Sequence, residues 1–197
     1  MRIENGTGEV IYLKVDSTNR AWVRSIIASE ILESSFRNEA FNINTEEITL
    51  NSDTESALIF IKNTNAFGKT LVVEAVFYLL GNSTGGSGDS RIVLLKNPTS
   101  GTIVDDAVET PIKGVRNFGS EENFDGIAYK GAIGKTFTNG SNYLTTRSGS
   151  TSQRIPIAAD GLIIPKNKSL GIKYTPPTGN TSQVVEIAVA CYYYEDV

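Results

Sequence analysis

The strongest constraint on this chain is its rhythm. Short runs of β-branched, aliphatic and aromatic residues are broken roughly every 8 to 15 positions by Gly, Asn, Ser, Asp or Pro. The clearest runs are "EVIYLKV" from Glu9, "EITL" from Glu47, "SALIFIK" from Ser56, "KTLVVEAVFYLL" from Lys69, "RIVLLK" from Arg91, "GIAYKG" from Gly126, "LGIKYT" from Leu170 and "QVVEIAVACYYY" from Gln183. Shorter ones stand at "TIV" from Thr102, "TPIKGV" from Thr110, "KTFT" from Lys135, "QRIPIAA" from Gln153 and "LII" from Leu162. Counted as strands, they give roughly ten to twelve candidates. The expected fold is therefore all-β, a jelly-roll-like antiparallel β-sandwich of about ten strands.

A chain of 197 residues is long enough to bury about 70% of its unfolded surface around one core. Neither an interior linker nor an internal repeat interrupts it. The reading is a polar N-terminal arm over residues 1–8, then a single sandwich domain over residues 9–197. "MRIENGTGE" is too polar to pack alone and is expected to reach toward a neighbour.

Within the long run from Lys69, strict alternation puts Leu71, Val73, Ala75, Phe77 and Leu79 on one face. Val72, Val76, Tyr78 and Leu80 fall on the other, with only Glu74 interrupting. Two apolar faces imply a strand covered on both sides, at the centre of a sandwich with an intersubunit contact outside. The Gly/Ser-rich stretch 81–90 reads as a flexible loop, and "TPPTGNTS" from Thr175 as a turn before the closing strand. "WVRSIIASEILESSF" from Trp22 fits two patterns. Val23, Ile27 and Ile31 follow helical spacing, while the β-branched content favours a strand giving way to loop after Ala28.

The chain has no histidine, which removes Ser-His-Asp and Cys-His activation and imidazole metal ligation. Cys191 is the single cysteine, so an internal disulfide and a Cys-rich zinc site are excluded; in its apolar run it reads as a small buried hydrophobe. No calcium-loop spacing occurs. Adjacent acids such as Glu46-Glu47 and Asp105-Asp106 point to opposite faces on a strand, so no glycosidase pair is preformed. "GAIGKTFTNG" from Gly131 contains Gly-Lys-Thr, but a P-loop needs glycine where Tyr129 stands, and an Asn-Gly turn follows instead of a helix. No enzyme, cofactor or metal is expected. With 18 Lys+Arg against 22 Asp+Glu, a net charge of -4, and no basic run, nucleic acid is not an expected partner. Without an apolar leader or a span-length apolar stretch, the chain reads as soluble, made in the cytosol and free of membrane. Sequons at Asn5, Asn82, Asn139, Asn167 and Asn180 then mark polar turns rather than glycans.

Surface contacts are what remains. Trp22, Phe118, Tyr192 and Tyr194 are the candidate interface residues, Phe118 because "RNFGSEENF" sets an aromatic in a polar loop. Alternation places Tyr192 and Tyr194 on one side and Tyr193 on the other, a pattern that packing, an interface or a sugar-stacking platform can produce.

In order along the chain, "VDSTNRAWVRS", "AFNINTEEITL", "SALIFIKN", "LLKNPTSGTIV", "RNFGS" and "AYKGAIGKTFTNG" resemble phrases of tailed-bacteriophage structural proteins. The resemblance implies a capsid decoration or cement protein, a β-sandwich that is commonly a homotrimer, partnered by the major capsid protein lattice and located on the virion surface. It brings no catalytic residue with it. The alternative from another class is a glycan- or receptor-binding module of a head or tail fibre, using loops at one end of the sandwich.

Overall fold

The computed structural model describes residues 2–4, 10–12, 30–106, 111–148, 153–155 and 161–194. In chain order the elements are β1 (Arg2–Glu4), β2 (Val10–Tyr12), α1 (Glu30–Phe36), β3 (Ala40–Asn44), β4 (Ile48–Leu50), β5 (Ser56–Asn63), β6 (Thr70–Ser87) and β7 (Ser90–Lys96). There follow α2 (Thr102–Asp105), β8 (Ile112–Val115), β9 (Gly126–Lys130), β10 (Ser141–Ser148), β11 (Gln153–Ile155), β12 (Leu162–Ile164), β13 (Ser169–Thr175) and β14 (Thr178–Tyr194). Arg2–Glu4, within the stretch read as a polar arm, is a strand that pairs antiparallel with β2.

All the remaining strands fall into two antiparallel sheets. One has the order β10-β7-β13-β5-β9; the other runs β11-β6-β14-β3-β8, with β12 also beside β6 and β4 also beside β14. The chain passes from sheet to sheet as it goes. Its last two strands, β13 and β14, lie between β5 and β7 in one sheet and between β3 and β6 in the other. The closing ribbon thus returns to the opening one, which is the jelly-roll order. β8 and β9 add one more edge strand to each sheet. The fold is the all-β sandwich that the rhythm of apolar runs implies.

Core packing follows from alternation, corrected by two bulges. Leu71, Val73, Val76 and Tyr78 of β6 meet Ile59, Ile61, Ile92, Leu94, Ile172 and Tyr174 from the facing sheet in one buried cluster. The predicted faces of β6 therefore switch partway along. Ala75 pairs with Ala190 and Val73 with the very next residue, Cys191, so Glu74 is an extra residue in the ladder. One unmatched residue turns every later side chain to the opposite face. Phe77 and Leu79 consequently point out of the sandwich, 39% and 44% exposed. A similar shift in β5, where Ile172 and Lys173 pair with Ile59 and Ala57, lets both Leu58 and Ile59 join the core.

Several short segments depart from expectation. "TIV" is α2, which buries Ile103 against Ala57 and Phe60 on the outside of the five-stranded sheet. "KTFT" is not a strand; residues 131–140 cross that same outer face and set Phe137 beside Phe60, ring centroids 6.4 Å apart. The Gly-Lys-Thr phrase thus belongs to a cover. Gly134 N–H donates to Ser56 Oγ (3.0 Å), Ala57 N–H donates to Lys135 O (2.7 Å) and Lys135 Nζ reaches Asp106 (3.2 Å). Glycine at 131 is demanded by space, since a Cβ there would stand 1.9 Å from Ala57 O.

The Gly/Ser-rich stretch after Leu80 is strand through Ser87, because β14 starts early enough, at Thr178, to pair with it. A partner about ninety positions away, which local composition does not register, decides its state. Beyond Ala28, in the segment that fitted two patterns, Glu30–Phe36 is helix. It closes at Asn38, which takes φ 64°, with Glu39 N–H donating to Ser34 O (2.8 Å) and Asn38 N–H to Ser35 O (3.2 Å). These are the two bonds of a Schellman ending, with asparagine in the left-handed position.

Candidate interaction surface

Three polar turns meet at one end of the sandwich, where β3, β6 and β9 begin and β5, β8 and β14 end. Each presents a phenylalanine to solvent: Phe36, the last residue of α1, is 75% exposed, Phe67 86%, and Phe118 fully so. Each forgoes about 2 kcal/mol of burial.

Asparagines fix the backbone beneath these rings. Asn63 is fully buried; its Nδ2 donates to Lys69 O (2.8 Å) and Ile164 O (2.9 Å), and its Oδ1 accepts from Asn65 N–H (3.0 Å). Asn65 Oδ1 accepts from Phe67 N–H (3.0 Å) and Lys69 N–H (3.1 Å), so the 64–69 loop wraps around two side chains. In the 116–125 loop, Asn117 forms an Asx turn. Its Oδ1 accepts from Gly119 N–H (3.1 Å) and its backbone oxygen from Ser120 N–H (3.0 Å), with Phe118 lifted between.

The turns are also tied to one another. Asn117 Nδ2 donates to Asn38 Oδ1 (2.8 Å), joining the 116–125 loop to the end of α1. Asn65 Nδ2 (3.0 Å) and Ala66 N–H (3.2 Å) donate to Asp125 Oδ2, joining the same loop to 64–69. Lys69 and Glu39 form a half-buried ion pair that links 64–69 to the residues after α1. Below lies an aromatic triad: Phe41 meets Phe124 edge-on at 5.5 Å and Tyr193 edge-on at 6.0 Å, while Phe124 stacks on Tyr193 at 5.9 Å. Tyr193 OH donates to Asp125 O. The backbone beneath the three phenylalanines is thus held by hydrogen bonds, several of them wholly or partly buried, that an inward swing of the turns would break.

Burial raises the proton affinity of the groups under this end. Tyr193 is held well above the ordinary phenol value, chiefly by desolvation and further by Asp125 and Cys191. Desolvation pushes the Cys191 thiol up to about 12, against a smaller opposing pull from Arg116. The thiol is accordingly inert. Among the described residues no group of three or more His, Cys, Asp or Glu is placed to hold a metal ion, and no helix is long and apolar enough to cross a membrane.

Of the residues singled out from sequence, Phe118 stands on this surface, and Tyr194, 36% exposed, ends β14 beside Thr70 at the same end. Tyr192 is 8% exposed and packs with Ala40 and Val72 on the outside of the seven-stranded sheet. Trp22 lies outside the described residues. Sequence reasoning missed Phe36 and Phe67. A signal for Phe67 was present, because "NAFG" repeats the logic of "NFG" at Phe118: an aromatic between an asparagine that folds the turn and a glycine that completes it. Phe36 had no such mark, since its exposure depends on which face of α1 meets β3 and β14.

The chain matches no protein-family model and no curated relative.

Proposed function

We propose that this protein is a capsid decoration protein of a tailed bacteriophage, which binds the assembled head shell and stabilises it by bridging neighbouring capsomers. The observation that carries this reading is the locked end bearing Phe36, Phe67 and Phe118. Rigid, solvent-facing aromatics lose little conformational entropy on docking and supply large apolar contact areas, the properties of interface anchors. Jelly rolls are a common architecture of viral capsid domains, and the resemblance of its phrases to those of phage structural proteins suggests the partner. The role is structural rather than enzymatic.

Stabilisation then follows from mass action: a ligand that binds the assembled lattice and not free subunits shifts assembly toward the lattice. A homotrimer multiplies a weak aromatic contact threefold, so modest single-site affinity suffices. The test is to mix the purified protein with undecorated heads of the encoding phage. Saturable, stoichiometric binding and a raised shell melting temperature are expected, both lost in a Phe36→Ser/Phe67→Ser/Phe118→Ser variant. Heads that neither bind the protein nor gain thermal stability would rule the reading out. Hits in a glycan-array screen that survive in that variant would instead favour a sugar-binding fibre module.

A further inference from the structure

A cleft of about 610 Å³ opens between the edge strands β10 and β12, bordering the phenylalanine-bearing end. β10 is terminal in the five-stranded sheet, and β12 flanks β6 at the corresponding rim of the other. Among the described residues no strand bridges the two rims, and the cleft lies between them. The walls are core surface: Ile164 and Leu170 belong to the main buried cluster and Leu162 packs against it. Tyr143, the residue skipped by the register shift between Asn142 and Leu144, stands at the rim, 53% exposed.

Two cations also line this cleft. The inward positions of β7 are Ile92 and Leu94, and the next in that alternation is Lys96. In β13 they are Leu170, Ile172 and Tyr174, and the preceding one is Lys168. The alternation that builds the core thus delivers two exposed ammonium groups to the same opening. Among the described residues no Asp or Glu lines the cleft and neither lysine has an ion-pair partner, although the whole chain carries a net charge of -4. Two of the neutral polar groups are engaged with the backbone: Asn97 Oδ1 accepts from Ser169 N–H (3.3 Å) and Ser169 Oγ donates to Pro98 O (2.5 Å).

We propose that the cleft binds an aliphatic carboxylate, with its chain against Leu162, Ile164 and Leu170 and its head group between Lys96 and Lys168. Methylenes leave water for apolar walls, and the anion accepts charge-assisted hydrogen bonds from both. The volume is that of a small-molecule site. Carboxylate binding and shell binding are separable by substitution, because the phenylalanine variant leaves Lys96 and Lys168 in place.

Calorimetric titration with dodecanoate below its micellar concentration tests this. One equivalent is expected to bind per chain, while dodecyltrimethylammonium, with the same chain and the opposite charge, does not bind. Lys96→Glu/Lys168→Glu alters only exposed side chains, so its unliganded melting temperature should match the parent, and its dodecanoate affinity should fall at least tenfold. Absence of dodecanoate binding, equal binding of the two amphiphiles, or undiminished affinity in the double variant overturns the proposal.

Discussion

The two ends of the sandwich are made of equally polar, turn-rich sequence, and they present opposite surfaces. At one end "NTNAFGK" and "RNFGSEENFDG" project bare phenylalanines. At the other, "NSDTES", "GNSTGGSGDS" and "PPTGNTS" carry no large apolar side chain. Both are pinned by asparagine. Asn180, 4% exposed, donates from Nδ2 to Leu50 O (3.1 Å) and Ser52 O (3.0 Å), much as Asn63 does opposite. Gly179 N–H donates to Asp53 (2.9 Å) and Thr181 Oγ1 to Thr84 O (2.9 Å). Rigid turns are thus common to both ends, and the aromatics are an addition at one. Their exposure does not come from a loose loop, because the quiet end is locked in the same way without them.

The comparison can be broken at several points. Asn63→Ala should have the largest effect, about 3 kcal/mol by chemical denaturation, since it strands three backbone groups, two of them in buried bonds. Asn180→Ala strands two carbonyls and should cost about 2 kcal/mol. If Asn180→Ala proves the more damaging, the phenylalanine end is the softer of the two.

Alkaline pH should weaken the phenylalanine end. The Cys191 thiol keeps its proton to about 12 in the fold against an ordinary 9.0, and Tyr193 is raised from 10.0. The unfolded chain therefore ionises first. The stability held by the neutral thiol is whole below pH 9 and is lost between there and pH 12, by about 1.4 kcal/mol per pH unit. Denaturation curves at pH 8, 9 and 10 check this, and Cys191→Ala should reduce the slope between 9 and 10. Tyr193→Phe should cost about 1 kcal/mol for the bond to Asp125 O and leave the ring stack intact. The smallest effect on stability belongs to the surface itself. Phe36→Ser, Phe67→Ser and Phe118→Ser should each stay within about 0.5 kcal/mol of the parent, because side chains this exposed lose little packing when shortened.

Much of the fold was legible because strand-forming runs declare themselves locally. "SALIFIK" and "LGIKYT" are strands where expected. What failed has a common cause in pairing. The face of Phe77 depends on an extra residue at Glu74, visible only against Cys191 and Ala190 across the ladder. Residues 81–87 are strand because β14 begins at Thr178, and "KTFT" covers the sheet because Phe60 leaves an apolar face beneath it. At the candidate site, Phe118 was readable from its polar loop. Phe67 carried the same signal, and Phe36 needed the docking of α1.

By itself the sequence determined an all-β sandwich lacking histidine chemistry and disulfides, because alternation, turn residues and residue types are local properties. Only the tertiary structure decided which apolar residues stay outside. That outcome depends on ladder register, on bulges and on asparagines that hold one loop against another, and these are relations between residues far apart in the chain.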